Sequence, residues 1–176
     1  MIQQLVNEND EILSARGEIF NLVNPPINPK DFEEELVENM LHYKGVGLSA
    51  NQIGKPYKVF TMLHEGEPLT MFNPRIVEQS SDYVTETEGC LSYPGLFVKV
   101  KRPSTVVVSY YDNNGTTYQG YFSELSARII QHEMDHMLGN VFYETASNFH
   151  LSQGKKKRKI NLRKMKKDNH ILLQKV

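Results

Sequence analysis

Residues 123–139 read SELSARIIQHEMDHMLG, and the rest of the chain is best understood outward from them. Ser123 is a good helix cap and Gly139 a good helix stop, so one helix is predicted from Ser123 to about Met137. Within it, His132 and His136 stand four residues apart, which sets both imidazoles on one face, one turn apart. Two neutral imidazoles so placed grip a metal ion at about 2.0–2.1 Å, and Glu133, beside the first, reaches a water at that ion. In 176 residues with six histidines, random order yields only about 0.02 such HExxH motifs. The bland alternative is a pair of surface histidines on an amphipathic helix. Leu125 and Ile129 continue the same face, either as a wall beside the metal or as ordinary core. Asp135 is given no role.

Two histidines leave a metal site incomplete. Downstream, the third ligand has Glu144, His150, Asp168 and His170 as candidates; upstream lies Glu88-Gly89-Cys90-Leu91-Ser92. A lone cysteine is most often a buried small hydrophobe, yet Cys90 follows a glycine in the polar stretch Thr85–Glu88, an odd place for core. A thiolate with two imidazoles suits iron(II) or zinc, so the upstream and downstream sets both stay open at this point. Arg102 is expected to hold Glu88 and so fix the loop presenting Cys90, against the alternative that both are solvated. A third segment, residues 45–52, reads GVGLSANQ; its alternate glycines permit close backbone approach. It is no phosphate loop, because no GxxxxGK pattern is present.

Further out, Asn28-Pro29 opens a first helix with Phe32, Leu36, Met40 and Leu41 on one face and Gly45 as its stop. Strands are expected at Tyr57–Met62 and Leu69–Val77 around Glu65-Gly66. Two more, Thr105–Tyr111 and Thr116–Phe122, flank the turn signal Asp112-Asn113-Asn114-Gly115. With 39% hydrophobic and 23% charged residues, the chain reads as one ordinary globular unit. A single cysteine excludes an internal disulfide, and no apolar run approaches a membrane span. The N-terminus lacks signal or transit patterning, so a cytoplasmic protein is expected, or an organellar one if a transit peptide has been removed. The formal net charge of −1 hides a division. Residues 155–176 carry ten of the twenty Lys and Arg but one of the twenty-one acids. The expected organisation is therefore a body, 1–154, and a basic tail, 155–176. Leu162, Met165, Leu172 and Val176 give that tail a sparse helical stripe.

The three segments GVGLSANQ, EGCLS and QHEMDH, in this order and with Phe72-Asn73-Pro74 between the first two, resemble the motifs of peptide deformylase over about residues 5–146. Ser49 departs from the alanine common in the first motif. Glu86 and Arg128 stand where many members are aliphatic, and Arg128, four residues before His132, is expected on the metal-facing side. The resemblance implies an α+β fold: antiparallel β-sheets packed around the central HExxH helix, with an N-terminal helix and a basic C-terminal tail. It also implies a metal-dependent hydrolase that removes the formyl group from N-formylmethionyl nascent peptides. Cys90, His132 and His136 would hold one divalent ion, iron(II) first, with zinc, nickel or cobalt able to substitute. Glu133 would carry the proton from water to the departing amine. The Gln52 amide and the Leu91 backbone N–H would bind the oxyanion. The extended substrate would lie against Gly47 and Gly89, with the methionine side chain near Val46, Leu125 and Ile129. The tail, 155–176, reads either as a solvated terminus or as a basic helix that meets ribosomal RNA, because family members act on nascent chains at the ribosome; a monomer that binds neither DNA nor membrane is expected. Two other readings compete: an ordinary HExxH metallopeptidase with a downstream ligand, and an inactive binding module. Intact Cys90, Gln52 and Glu133 speak against the second of these. EGCLS, and the lack of an HxxGxxH-like extension, speak against the first.

Overall fold

The computed structural model describes residues 1–168, so the expected stripe positions Leu172 and Val176, and His170, lie outside the described residues. In chain order the elements are α1 (Pro29–His42), β1 (Gly47–Ser49), β2 (Val59–His64), β3 (Glu67–Gln79), β4 (Tyr83–Gly89), β5 (Phe97–Pro103), β6 (Thr105–Tyr111), β7 (Thr117–Ser123), α2 (Glu124–Leu138) and α3 (Asn148–Asp168). A short 3-10 turn, Ala50–Ile53, follows β1. Five strands form one antiparallel sheet in the order β1-β2-β3-β6-β7, and β4 and β5 pair as a separate antiparallel hairpin. The architecture is α+β, as expected.

Local chemistry accounts for the elements that sequence reading found. The Asn28 side chain accepts from Lys30 N and Asp31 N at the start of α1, and Pro29 takes the first helical position. Glu65 and Gly66, both at positive φ, make the tight turn between β2 and β3. Asp112 Oδ1 accepts from Asn114 N and Thr116 N, and Gly115 takes φ 81° in the β6–β7 turn. Two details differ from expectation. The left-handed residue ending α1 is Lys44 (φ 55°), not Gly45, and Ser123 sits at the N-cap of α2 without a side-chain capping bond.

α2 is the centre of the molecule. Residues 127–133 are all buried, so the helix is enclosed all round rather than laid on a surface. One core cluster joins it to β2, β3 and β6 through Phe60, Met71, Val108, Ile129 and Ile130. A second gathers Phe20, Phe32, Leu36 and Phe72 under α1, and a third gathers Cys90, Tyr93, Val98, Val100 and Phe142 beneath α3.

The basic segment differs most from its sequence reading. α3 begins at Asn148 and runs through Gly154 without a break, so no element boundary falls at residue 154. Gly154 is buried there: a Cβ on it would lie 2.6 Å from Phe97 O. Arg158 bonds Pro94 O and Glu8, Asn161 bonds Gly95 O, and Leu162 packs over Gly95. Gly154, Arg158, Asn161 and Leu162 thus form one docking face at helical spacing.

Candidate active site

Three side chains converge where α2 meets the loop after β4. One ligand atom from each of Cys90, His132 and His136 lies within 4.8 Å of the others, and all three residues are buried. Cys90 Sγ is 3.1 Å from His136 Nε2. His132 Nδ1 is 3.0 Å from Glu88 Oε2, and its Nε2 is buried with no hydrogen-bond partner. A carboxylate on Nδ1 holds the proton there and leaves Nε2 as the lone-pair side, the second-shell arrangement of a metal-ligating histidine. A buried nitrogen lone pair without a donor is otherwise costly, so the geometry fits a metal ion. The downstream candidates Glu144 and His150 are not part of this group.

Electrostatics agree with that fit. Burial favours a neutral His132, but the hydrogen bond to Glu88 and the nearby Cys90 side chain outweigh it and push the ring up to about 10. The surrounding groups thus draw in positive charge, which a divalent ion supplies. His136 is held well below its ordinary value by burial and by the neighbouring His132 and Arg102 charges, which keeps a lone pair available.

Glu88 is the pivot behind the ligands. Arg102 grips it with two nitrogens, Nε to Oε1 at 2.5 Å and Nη2 to Oε2 at 2.8 Å. The expected Glu88–Arg102 pair is therefore formed, and it is buried rather than solvated. Arg102 Nη1 also meets Asp135 Oδ2 at 2.9 Å, so Asp135, given no role from sequence, braces this network. Arg128 leaves the same side of α2 as His132 but ends on Glu88 Oε1 (2.7 Å), Glu86 Oε2 (3.1 Å) and the carbonyls of Val84 and Val100. It is a second clamp on the carboxylate.

Gln52 stands against the loop. Its Oε1 accepts from Ser49 N at 2.9 Å, and its Nε2 lies 3.1 Å from Ser92 Oγ and 3.5 Å from Cys90 Sγ. A backbone N–H can only donate, so the atom facing Ser49 is oxygen and the amide NH₂ faces Cys90. Asn51 Nδ2 bonds His136 O at 2.8 Å, tying the 3-10 turn to α2. Sequence reading missed Ser49, Asn51 and Ser92 as site residues, although the first two lie inside the quoted GVGLSANQ.

The remaining expected positions divide. Gly47 adjoins both Glu133 and Ile129, and Val46 packs in the α2 core cluster. Leu91 is buried beside the site. Gly89 pairs with Phe97, whose ring would meet a Cβ at 2.6 Å, so packing alone accounts for that glycine. Leu125 is 49% exposed and lines a cleft of about 490 Å³ with Val84, Glu86, Ser104 and Arg128, so the core-packing alternative for it does not hold.

Comparison with known proteins points the same way. The sequence model of the family described as polypeptide deformylase matches residues 2–152. A peptide deformylase of Finegoldia magna is 35% identical over 149 residues, 84% of this chain and 91% of its own. That of Dictyoglomus thermophilum is 32% identical over 146 residues, 83% and 94% of the two chains. Among solved structures, a peptide deformylase from Synechococcus elongatus in complex with actinonin has TM-score 0.81 and 32% identity over 88% of this chain and 85% of that one. One from Plasmodium falciparum has TM-score 0.80 and 33% identity over 92% and 96%. Matches of this length, on a fold that brings the three motifs to one point, leave one assignment: the chain belongs to the polypeptide deformylase family.

Proposed function

We propose that the deformylation this chain catalyses, removal of the N-terminal formyl group of newly made polypeptides with release of formate, runs on Cys90, His132 and His136 as metal ligands and Glu133 as the proton carrier. The observation that carries the reading is the buried convergence of those three ligand atoms, with the unpartnered Nε2 of His132 among them. When bound, a divalent ion supplies Lewis acidity, lowering the pKa of a water toward about 7 and polarising a carbonyl. Iron(II) is the first candidate for one soft thiolate with two imidazoles; zinc, nickel and cobalt fit the same set.

The chain's own groups do the rest. Glu133 accepts a proton from the attacking water and delivers it to the amine nitrogen as the formyl C–N bond breaks. The Gln52 NH₂, aimed at Cys90 by Ser49, donates to the oxygen that gains negative charge, and Leu91 N–H is proposed as its partner. β1 is an edge strand of the large sheet, against which an extended peptide can lie along Val46 and Gly47; Gly89 is proposed as a further backbone contact. The methionine side chain is placed near the exposed Leu125, whereas Ile129, expected beside it, is fully buried in the core cluster of α2. Among the described residues no helix is long and apolar enough to cross a membrane. We place the enzyme in the cytoplasm or an organelle matrix as a monomer, with α3 turned toward the ribosome.

The test is metal analysis of anaerobically purified protein, run alongside formate release from formyl-Met-Ala-Ser. Tightly held iron and rapid formate release are expected. Full metal retention by Cys90→Ser would remove that residue from the ligand set, since a neutral hydroxyl binds far more weakly than a thiolate.

A further inference from the structure

Gly47 and Ser49 lie two residues apart on β1 and so face the same side, and what they face is Glu133. A Cβ on Gly47 would lie 2.4 Å from Glu133 Oε1, so the carboxylate rests against a bare Cα. Ser49 Oγ lies 2.7 Å from Glu133 Oε2 and 3.1 Å from the Glu133 carbonyl, and both residues are fully buried. A hydroxyl has one proton, and the nearer carboxylate oxygen is the better acceptor. The last torsion of a glutamate side chain is broad and roughly two-fold. Helix position alone therefore leaves the plane of the carboxylate undetermined, and the short bond from Ser49 is one contact of this chain that constrains it.

We infer that Ser49 is a positioning residue for deformylation: its hydroxyl orients the Glu133 carboxylate while its backbone N–H orients the Gln52 amide. The two groups proposed to move the proton and hold the oxyanion are thereby registered against each other through one residue. The inference rests on the reading of Glu133 as proton carrier.

Ser49→Ala removes the hydroxyl bond and leaves the backbone bond to Gln52. With formyl-Met-Ala-Ser, kcat is expected to fall about ten-fold while KM stays within about two-fold, because the loss falls on the transition state. Metal content should not change, since no ligand is touched. Ser49→Thr keeps the hydroxyl and should recover most of kcat. If Ser49→Ala fails to fold, Ser49→Cys, similar in size but a weak donor, carries the same comparison. The decisive measurement adds Ser49→Ala to metal-loaded Glu133→Ala. Residual turnover should then change less than about two-fold, because Ser49 acts through Glu133. An equal loss in both backgrounds would overturn the inference, as would wild-type kcat in the single variant. Near wild-type turnover by Glu133→Ala alone would instead overturn the reading of Glu133, and that result is obtained without touching Ser49.

Discussion

Glu88 has no solvent contact and is held by two cationic neighbours, Arg102 and Arg128, and by Nδ1 of the His132 ring. Burial by itself would raise its pKa, but the hydrogen bonds from Arg102 and His132 outweigh it and hold the carboxyl at about 2, below its ordinary 4.5. The ionised form therefore stabilises the fold fully above about pH 4.5, and that contribution fades as pH falls toward 2. At about 1.4 kcal/mol per unit, the loss is on the order of 3 kcal/mol. Urea unfolding between pH 5 and pH 2, with chelator present so that metal release does not contribute, should show this slope in the wild type. Glu88→Gln should be less stable throughout and flatter by about that amount; equal slopes would mean that other carboxylates set the acid limit. The two proposed histidine ligands were legible in sequence because the spacing of HExxH states their geometry, whereas Cys90 joined them only through the family resemblance that EGCLS helps carry. Arg128 was legible only as an anomaly. Its partners are the Glu86 and Glu88 carboxylates, about forty residues away, and two carbonyls on the paired strands β4 and β5, contacts that no spacing rule contains.

At the scale of elements, the ends of α1 and α2 make a comparison within one molecule. Both close with the same pair of reversed bonds: Lys44 N to Leu41 O and Gly45 N to Met40 O, and Gly139 N to His136 O and Asn140 N to Asp135 O. The left-handed position is glycine in α2 (φ 78°) but lysine in α1 (φ 55°). A Cβ in that region costs about 1 kcal/mol, partly offset by the greater freedom glycine gains when unfolded. Lys44 is exposed, so Lys44→Gly is expected to stabilise by about 0.5–1 kcal/mol, read as a higher denaturant midpoint at unchanged slope. No change would mean that the unfolded-state term cancels the strain. Turn and cap chemistry explains why α1, α2 and the two hairpins of the large sheet could be read from sequence. β4 could not. Its Thr85-Glu86-Thr87-Glu88 has no apolar alternation, because burial begins only at Glu88, and the interior end is held by charge pairing rather than hydrophobic contact. β1 is three residues long and buried throughout, too short to show a period.

At the scale of the whole molecule, the charge division acquires a direction. Gly154, Arg158, Asn161 and Leu162 face the body, leaving Lys155, Lys156, Lys157, Lys159, Arg163, Lys164 and Lys166 exposed. Cutting the chain after residue 154 is therefore a poor test of ribosome contact. It would also remove the bonds to Pro94 and Gly95, four and five residues after Cys90, and so disturb the catalytic loop. Replacing Lys156, Lys157, Lys159, Lys164 and Lys166 by glutamine leaves that docking face intact. Phosphate contacts release counterions, so binding to ribosomal RNA falls with salt at a slope of roughly one per contact. The glutamine variant should co-sediment with ribosomes less well than the wild type at low salt and show a shallower salt slope. Its turnover of formyl-Met-Ala-Ser should stay within about two-fold at all salt concentrations, because no charge near the metal ligands has changed. Identical sedimentation by both proteins would show that the basic face takes no part in ribosome binding. A matching loss of short-peptide turnover would show instead that these cations act on the loop through α3.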